Sequence, residues 1–137
     1  RGSRSVQHLA SKATMLTRTM SEDVTEVRRG DIVIVELDPT RGHEMQKTRP
    51  CVVVQNDVGN RNSHTTVVAP ATTTHRGYPF EVLVTADESD FNEDSSVRLD
   101  QIRSVDIPER IQFVAGQLPA SIMREVDSAL KLELAFD

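Results

Sequence analysis

An arginine–proline step, Arg49-Pro50, stands directly before a run of small apolar residues, 51–54. Proline restricts the residue before it to an extended backbone, so the step holds the Arg49 guanidinium in one direction at the start of a predicted strand. A permanently charged, planar fork of N–H donors suits a phosphate or a pentacoordinate phosphoryl transition state better than it suits proton abstraction. The same residues are equally compatible with a structural arginine that caps carbonyl groups at the strand end.

Hydroxyl side chains lie at both ends of the next apolar run, residues 65–72. The loop that follows, residues 73–79, presents further hydroxyls and bases. The positively charged Arg49 at the start of one predicted strand is thus followed by a second strand that has hydroxyl side chains at its ends. We therefore expect the chemistry of this protein within residues 40–74.

Charge is distributed unevenly along the chain. The formal net charge is −5, which speaks against nonspecific adhesion to nucleic acid. Residues 40–76 nevertheless carry a local excess of positive charge, whereas acidic residues gather between Glu81 and Glu109. An anionic ligand can thus be held locally on an acidic protein, although ordinary solvated surface charges explain the same pattern.

Short runs of β-branched or alternating residues predict strands, and one late segment predicts a helix. The strands are expected at residues 32–37, 50–56, 65–72, 80–84, 96–105, 111–116 and 132–136. Pro119 suits the first turn of the only predicted helix, whose apolar stripe runs from Ile122 to Leu130. Residues 57–64 are predicted as a turn, and residues 40–48 as a long mobile loop.

The fold class predicted from these elements is mainly β (β+α). Many short strands with one late helix indicate a small, curled, mostly antiparallel sheet or barrel with the helix packed on it. A chain of 137 residues is long enough for one such core.

The first 20 residues carry four bases, no acid and no steady hydrophobic period. Because the opening Arg1-Gly2-Ser3 has the form of a cloning remnant, we expect residues 1–20 to be a vector-derived or flexible leader. Without this segment the net charge is −9, so the rest of the chain is markedly acidic.

A single cysteine, Cys51, cannot form an internal disulfide, and a lone cysteine inside an apolar run is more often a small core residue than a nucleophile. The chain has no secretory signal pattern and no apolar run near the ~20 residues that a membrane-spanning helix needs. These features predict a cytoplasmic protein without a membrane partner.

Several motifs that would define other chemistry are absent, among them GxxxxGK[ST], GxGxxG, CxxC and HExxH. The four histidines, His8, His43, His64 and His75, are scattered without ligand spacing, so neither a metal nor another cofactor is expected. His64 could still titrate near a substrate, although most loop histidines are simply solvated.

Four stretches together resemble the MazF/PemK toxins, the ribosome-independent, mRNA-cleaving endoribonucleases of toxin–antitoxin pairs. These stretches are residues 29–33 (RGDIV), 48–57 (TRPCVVVQND), 59–61 (GNR) and 99–103 (LDQIR). Residues 125–130 (EVDSAL) also resemble the last helix of the family. The predicted toxin domain is therefore residues 28–137.

The resemblance implies a homodimer of SH3-like small β-barrels of the MazF/CcdB/PemK type, each with a C-terminal α-helix. It also implies a metal-independent, sequence-specific endoribonuclease (mRNA interferase) that cuts single-stranded RNA. In such enzymes the ribose 2′-OH attacks the adjacent phosphate, which leaves a 2′,3′-cyclic phosphate and a 5′-OH. The implied partner is a MazE-like antitoxin, whose acidic tail competes for a groove gated by residues 40–48.

On the family motifs the catalytic pair falls on Arg49 and Thr72. Thr72 would orient the scissile phosphate, and Arg49 would neutralise the phosphorane oxygens. Whether Arg49 also moves a proton stays open, but a guanidinium pKa above about 12 favours electrostatic stabilisation as its main role. The RNA-binding residues implied by the resemblance are Arg29, Glu44, Ser63, His64, Thr65 and Gln101.

The chain departs from its apparent relatives in the loop before Arg49. It has Gly42-His43-Glu44-Met45 where the family often places serine and glutamine beside the glutamate, and it has His64 where a proline is common. Because these positions lie near the bases that are recognised, the cleavage sequence does not transfer.

Two alternative functions remain at this point. A CcdB-like toxin that poisons DNA gyrase would share the barrel, but those toxins act through a tryptophan near the C-terminus, and this chain has no tryptophan. A catalytically silent module that only binds RNA or antitoxin is supported mainly by the altered loop.

Overall fold

The computed structural model describes Val24, residues 26–37 and residues 48–136. Within these residues, seven strands form one antiparallel sheet. They are β1 (Asp31–Glu36), β2 (Thr48–Val53), β3 (Thr65–Thr72), β4 (Glu81–Val84), β5 (Ser95–Arg98), β6 (Arg103–Asp106) and β7 (Ile111–Gln117). The helices are α1 (Asp57–Asn62), α2 (Ile107–Arg110) and α3 (Ala120–Leu134), and two 3₁₀ turns span Ala86–Glu88 and Leu99–Gln101.

Strand β3 is the centre of the sheet. The strand order is β4-β5-β3-β2-β1-β7, and β6 pairs with β3 beside this path. One edge of β3 pairs with β2, while the other edge pairs with β6 over its first half and with β5 at its end. Because β3 changes partner along its length, its two ends have different surroundings.

Two apolar clusters cover the two faces of the sheet. In β2, Val52 belongs to the cluster beneath α3, whereas Cys51 and Val53 belong to the cluster on the other face. All three are fully buried. The prediction that the unbroken apolar run of this strand is covered on both faces is therefore confirmed.

The long helix is α3, which places Ile122, Val126 and Ala129 against the sheet, in the stripe that the sequence predicts. Pro119 is its N-cap and not part of its first turn. The helix ends where Ala135 adopts a left-handed conformation with φ 59°. Among the described helices, none is long and apolar enough to cross a membrane.

Three local predictions are wrong. The predicted terminal strand, residues 132–136, instead continues α3 to Leu134, because helical hydrogen bonding carries on although Leu132, Leu134 and Phe136 are exposed. The predicted turn after β2 contains helix α1, which Asn56 caps by accepting a 2.8 Å hydrogen bond from the Gly59 N–H. With α2, the described residues form three helices where one was predicted.

Two strand boundaries also differ from the prediction. Strand β2 begins at Thr48, so Pro50 lies inside it and pairs with Ile34 of β1. The expected extension through residues 96–105 is interrupted by the 3₁₀ turn Leu99–Gln101, which separates β5 from β6. That interruption allows the two strands to pair with different halves of β3.

Candidate active site

Arg49 and Thr72 lie on the same face of neighbouring strands. In the β2–β3 ladder Cys51 is the partner of Pro70. Residues two apart along a strand share a face, so Arg49 lies on the face of Cys51 and Thr72 lies on the same face, beyond Pro70. Both residues are half-buried. The fold thus brings the predicted catalytic pair together, while its catalytic role stays a prediction.

A second arginine approaches the same face. Arg103 is opposite Val68 in the β3–β6 ladder, and strand alternation places it on the face that carries Arg49 and Cys51. Burial raises the pKa of the Cys51 thiol to about 12, an effect that the nearby positive charges of Arg103 and Arg49 only partly oppose. Cys51 is therefore an unreactive core thiol, as its sequence predicts.

A third arginine, Arg98, completes a basic face that the sequence did not reveal. Continuing the β3–β5 ladder one residue past Ala71 and Val97 brings Arg98 opposite Pro70, on the face of Thr72. The guanidinium binds Asp100 through two hydrogen bonds, Nε to Oδ1 at 2.9 Å and a terminal nitrogen to Oδ2 at 2.7 Å. We call Arg49, Arg98, Arg103 and Thr72 the phosphate face.

The Arg98 guanidinium contacts two aromatic rings in addition to the Asp100 carboxylate. Arg98 lies 5.8 Å from the ring centroid of Tyr78 and 5.7 Å from that of Phe80, and these two rings stack at 5.0 Å. Hydrogen bonds from Arg98 hold the pKa of the Asp100 carboxyl below its ordinary value, against the opposing effect of burial. An Arg-x-Asp pattern directly after a strand was the one signal in the sequence for this pair.

Glu81 anchors the loop that follows Thr72. Its carboxylate accepts hydrogen bonds from the backbone N–H of Tyr78 at 2.8 Å and of Arg76 at 3.4 Å. Burial alone would raise the pKa of Glu81, but these donors, the Ser96 hydroxyl and the charge of Arg98 together hold it below its ordinary value. A buried, ionised carboxylate therefore fixes the chain on the C-terminal side of Thr72.

The remaining predicted contact residues are divided between the two ends of β3. Gln101 is exposed on the turn that joins β5 to β6, near the Thr72 end. Ser63, His64 and Thr65 are exposed at the start of β3. The eight residues of this strand span roughly 23 Å when extended, so the two groups are not brought together within one chain.

Arg29 also lies at the far end, where the fold uses its side chain. The N–H of the adjacent Gly30 donates a hydrogen bond to the carbonyl of Val53. Val53 is the last residue of β2, whereas Arg49 lies near the start of that strand. The Arg29 guanidinium donates to the Val54 carbonyl at 2.9 Å and to the Asp127 carboxylate at 2.7 Å. These contacts join β2 to α3, and a role for Arg29 in RNA binding stays a prediction.

A cavity of about 430 Å³ lies beside the Thr65 end. Its lining residues are Asn60, Arg61, Asn62, Ser63, His64, Ile107 and Pro108. Glu44 and the rest of residues 38–47 lie outside the described residues, as does the predicted leader. Within the described part of the chain, no group of three or more histidine, cysteine, aspartate or glutamate side chains could hold a metal ion.

A curled antiparallel sheet with a C-terminal helix and a cationic face defines a small β protein suited to a phosphate-bearing ligand. Residues 28–134 match the family model described as the PemK-like, MazF-like toxin of type II toxin-antitoxin systems. The chain belongs to this PemK/MazF-like toxin family, and the family and fold class expected from the sequence are confirmed.

Relatives and solved structures agree with this assignment. Endoribonuclease EndoA of Bacillus subtilis is 38% identical over 111 residues, which cover 80% of this chain and 95% of that protein. Endoribonuclease MazF9 of Mycobacterium tuberculosis is 38% identical over 114 residues, with 79% and 96% covered. The MazE–MazF structure from Deinococcus radiodurans superposes with a TM-score of 0.67 at 26% identity, covering 81% of this chain and 97% of that chain.

Proposed function

We propose that this protein is the toxin of a type II toxin–antitoxin system and acts as a sequence-specific, ribosome-independent endoribonuclease on single-stranded RNA. The observation that carries this proposal is the phosphate face, where Arg49 and Arg98 lie towards the Thr72 end of β3 and Arg103 lies on the same face opposite Val68. Family membership and the 38% identity to proteins named endoribonucleases support the same activity.

The arrangement suits cleavage by the neighbouring ribose hydroxyl. As the 2′-OH attacks phosphorus, negative charge grows on the phosphorane oxygens, and fixed guanidinium groups stabilise that charge without reorganising. Arg49 donates N–H groups to these oxygens, and the Thr72 hydroxyl orients the scissile phosphate before attack. The products are a 2′,3′-cyclic phosphate and a 5′-OH end, and no step requires a metal ion or another cofactor.

The proposed assembly is a homodimer with a MazE-like antitoxin as its partner. A solved relative forms a MazE–MazF complex, and the share of both chains covered by the superposition supports an analogous complex here. An acidic antitoxin segment is attracted to the same phosphate face as RNA because both are anionic. The proposed site of action is the cytoplasm.

The test uses purified, antitoxin-free protein and a long RNA in EDTA. We expect discrete fragments with 5′-OH ends, and Arg49→Ala should lower the cleavage rate by roughly 10²–10³-fold or more, as loss of one charge-stabilising donor does elsewhere. Arg124→Ala is the matched control, because Arg124 is an exposed arginine on α3, away from the phosphate face.

The alternatives predict other outcomes. RNA that binds in a gel shift but gains no new ends would identify a silent binding module. Intact RNA together with loss of gyrase supercoiling would identify a CcdB-like poison. Absence of cleavage across varied RNAs would falsify the endoribonuclease.

A further inference from the structure

The cavity of about 430 Å³ at the Thr65 end of β3 lies outside the phosphate face. Its size falls within the ~300–1,000 Å³ range of sites that bind small molecules. Two of its lining residues, Asn60 and Ile107, are buried, and Pro108 adds a further apolar surface. The exposed polar side chains of the lining are Arg61, Asn62, Ser63 and His64.

Hydrogen bonds hold the backbone that forms this cavity. The Ile107 N–H donates to the His64 carbonyl at 2.8 Å, which joins the start of α2 to the segment before β3. The Ser63 hydroxyl accepts a hydrogen bond from the Thr65 N–H at 3.1 Å. The cavity is therefore formed before a ligand binds, which lowers the entropy lost on binding.

The residue types of the lining select a ligand with an anionic part and a flat apolar part. Arg61 is permanently charged, and its planar fork of N–H groups matches the geometry of a phosphate. The imidazole of His64 and the amide of Asn62 can hydrogen-bond to the edge of a base. Ile107 and Pro108 provide apolar surface against which a base or a ribose can pack. A nucleotide combines all of these properties.

Strand β6 connects the cavity to the phosphate face. Arg103 is the exposed first residue of this strand, and Ile107 follows its last residue. Val105 and Ile107 lie in the same apolar cluster as Val68, which is opposite Arg103 in the β3–β6 ladder. Because alternate residues of a strand share a face, Arg103 and the cavity lie on one face, roughly 13 Å apart along β6.

The spacing between Arg103 and the cavity suits a single strand of RNA. A stacked nucleic-acid strand carries one phosphate per 3.4 Å, so 13 Å corresponds to about four nucleotides, and to fewer in a more extended strand. The bases of single-stranded RNA are unpaired and can be turned out into a protein pocket. A strand that binds the phosphate face at Arg103 therefore reaches the cavity within a few nucleotides.

We propose that the cavity is a second RNA subsite, which holds one unpaired nucleotide of the substrate away from the bond that is cut. This proposal rests on the proposed function. Arg61 binds the phosphate of that nucleotide, Pro108 packs against its base or ribose, and Asn62 and His64 hydrogen-bond to the edge of the base. Because no reacting atom lies in the cavity, the subsite contributes to binding and not to the chemical step.

The first experiment measures binding of a fluorescently labelled, mixed-sequence 2′-O-methyl RNA of roughly 15 nucleotides, which spans both sites but has no 2′-OH to attack. Arg61→Gln should weaken binding roughly 10-fold at low salt and reduce the slope of log K against log salt by about 0.7, the value for one phosphate contact of a single strand. Arg61→Lys should keep the slope but lose affinity, because an ammonium group carries the charge without the fork. Arg124→Gln, the matched change on the exposed side of α3, should leave affinity and slope unchanged.

Cleavage kinetics separate binding from chemistry. For a long RNA, Arg61→Gln should raise KM roughly 10-fold and leave kcat within about 2-fold of the wild-type value, because the lost contact is the same in the ground state and the transition state. For an RNA of roughly three nucleotides, which is too short to reach the cavity from Thr72, the same substitution should leave KM unchanged. An equal rise in KM for both RNAs would contradict a separate subsite.

Two results of the binding experiment would overturn the subsite. One is an Arg61→Gln variant, shown to be folded by urea unfolding, that keeps the wild-type affinity and salt slope. The other is weaker binding of poly-L-glutamate without any change in RNA binding, which would assign the cavity to an acidic protein segment. If the wild type cleaves no RNA but Arg61→Gln still lowers the salt slope, the endoribonuclease proposal fails and the subsite stands.

Discussion

The two ends of strand β3 carry similar residue types and use them differently. At the Thr72 end, Arg49 and Thr72 lie half-buried on one face of neighbouring strands, where a ligand can reach both side chains. At the Thr65 end, Arg29 is bound to the Val54 carbonyl and to Asp127, and the Thr66 hydroxyl is buried against Asn60. Polar groups that the fold has already satisfied stabilise it, whereas groups that it leaves unsatisfied remain available for a ligand.

Asn60 illustrates the structural end. Its amide nitrogen donates to the Gln55 carbonyl at 2.9 Å and to Asp57 at 3.1 Å, and its oxygen accepts from Thr66 at 2.6 Å and from Gln55 at 3.1 Å. Asp57 accepts hydrogen bonds from the backbone N–H of Arg29 and from the Asn60 amide. These bonds, the first with the larger effect, hold the pKa of Asp57 below its ordinary value. The Asn60 amide thus ties helix α1 to β2 and β3, and it has no donor or acceptor left for RNA.

The largest expected contrast comes from the same isosteric change at each end of β3. Thr72→Val should lower the cleavage rate roughly 10–100-fold, because one hydrogen bond to a charged phosphate is worth about 1.5–3 kcal/mol, and should leave stability nearly unchanged. Thr66→Val should instead lower the free energy of unfolding by about 1 kcal/mol, because the Asn60 oxygen loses one of its two hydrogen-bond donors and keeps only Gln55. Urea unfolding and single-turnover kinetics measure both effects; a stability loss at Thr72 larger than that at Thr66 would contradict the comparison.

Arg29→Ala should produce a moderate loss of stability, about 1–2 kcal/mol. It removes one hydrogen bond to the carbonyl of the buried Val54 and one ion pair with Asp127 that is partly exposed and hence weak. Arg29→Lys is the sharper control, because an ammonium group lacks the fork that reaches both partners. Normal stability with weakened RNA binding would show that Arg29 belongs with Arg49 as a phosphate ligand.

The smallest expected effect is on the pH dependence of stability. The pKa of Glu81 is below its ordinary value in the folded protein, so its contribution is fully present above the unfolded-state pKa of about 4.3 and is lost as the pH falls through the folded-state pKa. In thermal melts, Glu81→Gln should therefore flatten the loss of stability below about pH 4.5. An unchanged acid profile would mean that Asp57 and Asp100, whose pKa values are also lowered, dominate acid unfolding.

Periodicity predicted the strands and α3 well because their apolar faces are local properties of the chain. Residues 65–72 were predicted within the bounds that β3 has, and the stripe from Ile122 to Ala129 faces the sheet as expected. Helix α1 was missed because Gly59 and Asn60 are turn formers, and the helix depends on the Asn56 cap and on tertiary hydrogen bonds to the Asn60 side chain. The continuation of α3 was missed because the alternating Leu132, Leu134 and Phe136 are typical of a strand.

The sequence by itself determined the family, the class of fold and the arginine–proline step, since each of these depends on residues that are close together in the chain. Only the tertiary structure decided which polar groups share a surface. The pairing of β3 with β2, β5 and β6 places Arg49, Thr72, Arg98 and Arg103 on one face of the sheet, although these residues are far apart in sequence. It also separated Arg29 from Arg49 and connected His75 to Glu81 through Ser96, because strand register sets which distant side chains meet.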